Sequence, residues 1–173
     1  DLKWLADPAE EPEPFGDGGT KMAWNTFNVV SIYPNGNPVM SDVNQRWVGD
    51  CCACAVIASM AYLYPRFVKH IIKDNMDKTY TVTMYDPKGK QISVGVGGDY
   101  FIGNSGDLGA LGGRNKEVTW ATILEKAMIK WNQIYQGSSN VGGIGTEYVS
   151  AIFTGDGESV GFGANALIAE DLQ

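Results

Sequence analysis

Gln45-Arg46-Trp47-Val48-Gly49-Asp50-Cys51-Cys52-Ala53-Cys54 leads into an apolar run that continues to Leu63, thirteen residues from Cys51 without a charge or a proline. Its alanines, together with Met60 and Leu63, favour helix over strand. Asp50 suits an N-cap, and Pro65 closes the run just after Tyr64. Apolar residues occupy every face, so the helix is expected to lie buried in the middle of the domain. A cysteine then stands at its first residue, where unpaired N–H groups and the positive end of the helix dipole favour a thiolate. Nucleophile, redox centre and metal ligand are the chemistries open to it.

Composition narrows the setting. The chain has 173 residues, 44% of them hydrophobic, enough for one domain with a real core. A net charge of −7 and a pI near 4.6 argue against nucleic acid and anionic membrane surfaces as partners. No apolar run reaches the roughly 18–20 residues that span a bilayer. The three cysteines fall between positions 51 and 54, so they cannot form a long-range disulfide framework. His70 is the single histidine.

Residues 1–20 set six acidic side chains against Lys3, with Pro8, Pro12 and Pro14 among them. That composition predicts a linker or prosegment remnant that does not order itself. The domain proper begins near Met22, with a short packed segment around Trp24, Phe27 and Ile32. A turn-rich loop, Tyr33-Pro34-Asn35-Gly36-Asn37-Pro38, follows. Pro65 opens a second helix with Phe67, Val68, Ile71 and Ile72 on one stripe. Residues 79–85 and 91–96 read as strands joined by the turn Asp86-Pro87-Lys88-Gly89, a hairpin. Residues 103–115 form a loop with five glycines.

Trp120, Ile123, Leu124, Ala127, Met128, Trp131 and Ile134 then fall on one helical face, with Glu125, Lys126, Lys130 and Gln133 elsewhere. This predicts a surface helix packed on the core. Gly137 to Gly145 is a second glycine-rich loop, 147–153 a short further helix, and 164–173 the start of another. The order of elements indicates an α+β fold, mostly helical around a central buried helix and a β-hairpin.

Free cysteines are often small buried hydrophobes, and that reading suits Cys52 and Cys54 better than Cys51. Cys51-x-x-Cys54 could close a redox disulfide across one helical turn. A thioredoxin-like site also expects a strand running into it, whereas residues 42–50 are broken and polar. A structural metal site lacks a second Cys or His pair. A nucleophile needs a base, an orienter and oxyanion donors. The Gln45 side chain and the Cys51 backbone N–H could serve as those donors.

Gln45-Arg46-Trp47-Val48-Gly49-Asp50-Cys51 ahead of an Ala-rich helix resembles the active-site signature of the calpain-like cysteine proteases, which carry Gln, three variable residues, Gly-Asp-Cys and then Trp. Trp120-Ala121-Thr122-Ile123-Leu124-Glu125-Lys126-Ala127-Met128-Ile129-Lys130 is similar to that family's Trp-x-x-Leu-Leu-Glu-Lys-Ala-Tyr-Ala-Lys helix. Gly142-Gly143 and Thr154-Gly155 fall where the family has a Gly-Gly loop and a closing Thr-Gly. The likeness covers about residues 33–156. Cys52 departs from it, standing where the family has Trp.

The resemblance implies a papain-superfamily endopeptidase core of which this chain is the first subdomain. Residues 21–160 would be the nucleophile-bearing half and 161–173 the start of the connection to the second. Cys51 would be the nucleophile and Gln45 the oxyanion-hole residue, with Gly49, Gly142 and Gly143 binding the backbone of a protein or peptide substrate. Asp42, with Asn35 and Asn37, would hold calcium. The family's calcium-binding Glu falls at Val118, leaving Glu117 one step off. In papain-type enzymes the His and Asn follow the Cys by about 130–150 residues, which from Cys51 falls beyond Gln173. The base is therefore expected from a second subdomain or a processed partner chain, and chain alone is expected to be inactive. The acidic proline-containing start leans towards a secreted or cell-envelope protein. A catalytically silent calpain-like interaction domain is the alternative from another class.

Overall fold

The computed structural model describes residues 1–15, 23–103 and 106–155; the expected helix at 164–173 lies outside them. Among the described residues five helices combine with two small antiparallel sheets, an α+β arrangement. The helices are α1 (Leu2–Ala6), α2 (Cys51–Leu63), α3 (Pro65–Ile71), α4 (Trp120–Gln136) and α5 (Thr146–Thr154), with a 3-10 turn at Met40–Asp42. The strands are β1 (Ala23–Thr26), β2 (Ile72–Asp74), β3 (Tyr80–Tyr85), β4 (Gln91–Val96) and β5 (Asp99–Ile102).

The hairpin forms as expected. β3 pairs with β4 in the register Tyr80↔Val96 to Tyr85↔Gln91, burying Tyr80, Val82 and Met84 on one face. The turn holds because Asp86 Oδ1 accepts the N–H groups of Lys88 and Lys90 at 2.9 and 2.8 Å. Two pairings escape the sequence pattern. Ile72 leaves α3 to pair with Val82 across β2 and β3, and β1 pairs with β5 from Ala23↔Ile102 to Thr26↔Asp99. Segments of three and four residues are too short for alternation to declare itself.

The two main helices exchange their expected places. α2 buries Ala53, Val56, Ile57, Met60 and Ala61 on one side, whereas Cys51, Ala55 and Tyr62 face solvent, Tyr62 at 73% exposure. The buried helix is α4, in which every residue from Trp120 to Asn132 is covered, including Glu125, Lys126 and Lys130. α4 lies against β3, β4, α1 and α2. Its start is fixed reciprocally: Ala121 N donates to Thr119 Oγ1 at 3.2 Å, and Thr119 N to Thr122 Oγ1 at 3.0 Å. Gly137, at φ +76°, ends it in the left-handed conformation.

What covers the lysines is the segment expected to be disordered. Residues 1–15 lie on the domain, with Leu5 fully buried. Lys130 Nζ donates to Asp7 O at 2.9 Å and Gly95 O at 2.7 Å and sits 5.0 Å from the Trp4 ring. Lys126 Nζ pairs with Glu11 Oε2 at 2.6 Å, donates to Asp99 O and lies 4.5 Å from the Trp24 ring. The composition argument fails at residues 1–15 because the acids and backbone carbonyls there bind cations that the core presents. Gly95 of β4 and Gly97 just after it leave room for this segment, since a side chain there would meet the Ala6 and Pro8 backbone.

Among the described residues no single helix is long and apolar enough to cross a membrane, and the α2–α3 pair is bent by 112°.

Candidate functional site

The segment entering α2 is held from behind. Asn44 N donates to Gly112 O at 2.9 Å and Trp47 N to Gly109 O at 3.1 Å, pinning residues 44–47 to the glycine-rich loop. Arg46 adds a side-chain bond to Asn44 O at 3.0 Å. Gly103 and Gly109 are required there, because a Cβ on either would press on the Trp47 indole. The chain then turns at Gly49 and Asp50 into Cys51, the first residue of α2 and exposed.

Gly49 O accepts the Gly143 N–H at 3.1 Å, so the 142–143 loop lies directly beside the approach to Cys51. Asn140 Oδ1 receives Gly142 N at 2.9 Å, and α4 anchors the loop through Asn132 Nδ2 to Ser138 O at 2.7 Å. Gly143 is exposed, with φ +77°, a conformation that side chains disfavour, and open space where a Cβ would be. Cys51, Gly49, Gly142 and Gly143 thus form one exposed ledge. Gln45 is exposed nearby in sequence, but its Nε2 donates to Val48 O at 3.0 Å. That bond stiffens the turn and leaves the amide its second N–H.

Asp50 corrects an expectation. It holds the N-cap position but makes no capping bond; its side chain is turned inward and 1% exposed. There its Oδ1 receives the Cys54 thiol at 3.5 Å, and its carboxyl meets that of Glu125. Burial, then the Asp50 and Glu125 carboxyls, push the Cys54 thiol far up, opposing thiolate chemistry at that position. No disulfide joins the three cysteines. Glu125 was expected on an outer face and is the site residue that periodicity misses. The signal against an outer face is Ile129, about half a turn round from the Trp120 stripe, which makes α4 apolar on both sides.

The residues that the resemblance would give to calcium do not fit it as arranged. Asp42 is 1% exposed, and its carboxylate takes three N–H donors: Asn35 Nδ2 at 2.8 Å, Val39 N at 3.2 Å and Trp120 Nε1 at 2.8 Å. A hard cation needs those lone pairs. Asn37 is exposed, and the Glu117 carboxylate rests over Gly113, its Oε2 buried without a partner. Among the described residues no three His, Cys, Asp or Glu side chains gather into a metal-holding group. Asp42 acts instead as the knot joining the 33–42 loop to α4. Calcium is accordingly expected to leave the thermal midpoint of the chain unchanged. A rise on calcium titration would show that Asp42 exchanges its N–H donors for the cation.

His70 is exposed in the last turn of α3. No protein-family model matches the chain, and no curated protein matches it.

Proposed function

We propose that this chain is the nucleophile-bearing half of a calpain-like cysteine endopeptidase. The observation that carries the reading is the Gly143 N–H bonded to Gly49 O beside an exposed Cys51 at the head of α2. A backbone ledge next to a helix-tip thiol suits an extended peptide, whose main chain pairs with glycine backbone while its carbonyl reaches the sulfur.

In this reading the Cys51 thiolate attacks the scissile carbonyl carbon, and the oxyanion is met by the Cys51 backbone N–H and the second N–H of Gln45. A histidine from a second subdomain or partner chain protonates the leaving amine, and water then hydrolyses the thioester, releasing the acid and restoring the thiol. His70 has no part in it. No step passes through calcium, since Asp42 as arranged is occupied by N–H donors. A redox role is disfavoured by the half-buried Cys54, whose thiol is held protonated.

The test is a peptidyl epoxide directed at cysteine proteases, applied to the protein together with its His-bearing partner. One adduct per molecule, on Cys51 and lost in Cys51→Ser, is expected. Absence of labelling under conditions where papain is fully modified would favour a silent interaction domain.

A further inference from the structure

A groove opens where α2 gives way to α3. The chain bends by 112° between the two helices, and the 37–40 loop closes the third side, leaving a cavity of about 630 Å³. At about 1.5 Å per residue α2 is roughly 20 Å long, with Cys51 at its other end, so this groove is separate from the glycine ledge. Pro38 and Pro65 line it, and Met40 and Tyr62 stand in it at 52% and 73% exposure. Large apolar side chains gathered at one concave surface mark an interaction site, whereas singly scattered ones do not. The loop wall is fixed without a ligand. Lys69 Nζ donates to Gly36 O at 3.2 Å and lies 5.2 Å from the Tyr33 ring, tying the loop to α3.

Charge decides the partner. The chain carries 20 acidic side chains against 13 basic ones, yet no acid falls between Cys51 and Lys73. Arg66 and Lys69 both line the groove, and their three-residue spacing sets them on one face of α3. Among the described residues neither makes an ion pair with a carboxylate. Asp42, the acid that follows the loop wall, is buried and holds three N–H donors; Asp74, just past Lys73, accepts the Met76 N–H at 2.8 Å. The negative net charge disfavours nucleic acid and anionic bilayers as whole surfaces. A short acidic segment is different, because at 0.1 M salt it feels mainly the charges within about 10 Å.

We propose that the groove between α2, α3 and the 37–40 loop is a docking site for an acidic segment of another protein. Its carboxylates meet Arg66 and Lys69, and an adjoining aromatic or aliphatic side chain enters between Met40 and Tyr62. Arg66 can grip a carboxylate through two parallel N–H groups. Tyr62 and Met40 supply rigid and adaptable apolar area, the side chains enriched where interfaces are driest. The site does not rest on the reading of Cys51 and stands or falls apart from it.

The probe is a short fluorescein-labelled peptide of Glu and Asp with one central Phe, followed by fluorescence anisotropy on the full chain. The peptide is expected to bind the wild type, and about tenfold more weakly both Arg66→Glu and Tyr62→Ala, whose altered side chains are exposed. Replacing its acids by Gln and Asn is expected to abolish binding. So is raising the salt from 0.1 to 1 M, which shortens the screening length from about 10 to 3 Å. No anisotropy change up to millimolar protein, or equal binding by wild type and Arg66→Glu, overturns the proposal. Two further outcomes also overturn it by giving the groove another occupant. One is a concentration-dependent dimer, lost in Arg66→Glu, on sedimentation; the other is capture by phosphatidylserine vesicles without binding of the peptide.

Discussion

Trp120→Ala is expected to unfold the domain at room temperature or bring it to the edge of doing so. Trp120 is fully buried at the head of α4, its backbone N donating to Ile32 O at 2.9 Å and its indole N–H to Asp42 Oδ2 at 2.8 Å. Truncating a buried tryptophan to alanine costs about 3–5 kcal/mol through lost burial and the cavity left behind. Asp42 then loses one of three donors inside the protein, adding about 1–3 kcal/mol, although the two losses share a site and do not simply add. A domain of this size has a total of about 5–15 kcal/mol. Urea denaturation followed by far-UV dichroism reads the result. Trp120→Phe separates the terms: it keeps most of the ring packing and loses only the N–H, so a drop of about 1–3 kcal/mol is expected. If Trp120→Phe denatures at the wild-type midpoint, the Asp42 bond does not hold the loop to α4.

Removing residues 1–12 is expected to be nearly as damaging, about 3–5 kcal/mol, because it takes away the fully buried Leu5 and the partners of two lysines. Lys126 is 3% exposed and loses Glu11, and Lys130, fully buried, loses Asp7 O and the Trp4 ring. The deletion also leaves a pH signature. Burial, then repulsion from Lys126, lowers the Lys130 ammonium to about 8 against 10.5 in an unfolded chain. Between those values the unfolded state binds the extra proton, so intact protein gains stability as pH rises from about 8 towards 10.5. Burial lowers Lys126 as well, in the same direction. In the truncated chain water reaches Lys130 and the gain disappears. The Glu125–Asp50 pair has the opposite sign, since raised carboxyls lose stability as pH climbs above the usual carboxylate range. It is common to both chains and cancels in the difference of their thermal midpoints. Identical midpoints across pH would mean that the segment lies on the domain without contributing to it.

Much of this architecture is legible in the amino-acid order where a local rule acts alone. The α2 boundaries, Cys51–Leu63, follow from an uncharged run between Asp50 and Pro65, and the hairpin from alternation around Asp86-Pro87-Lys88-Gly89. The ledge of Gly49, Gly142 and Gly143 was reachable only through family resemblance, because glycine carries no pattern of its own. Charge position misleads where a charge has a distant partner. Lys126, Lys130 and Glu125 read as solvent-facing because burial is costly for an unpaired ion. Their partners are Glu11, Asp7 and Asp50, between 75 and 123 residues away in the chain.

The sequence by itself determined a helix of thirteen residues with a cysteine at its tip, an acid before it and a glutamine six residues upstream, though not which of its faces is buried. Local propensity and turn chemistry suffice for that, since they act over a few bonds. Tertiary structure alone decided which way Asp50 turns. Capping is the ordinary fate of an aspartate before a helix, whereas here the Asp50 side chain turns inward, where it receives the Cys54 thiol and meets Glu125 of α4. That inward turn depends on a helix 75 positions further along the chain, which no local rule encodes.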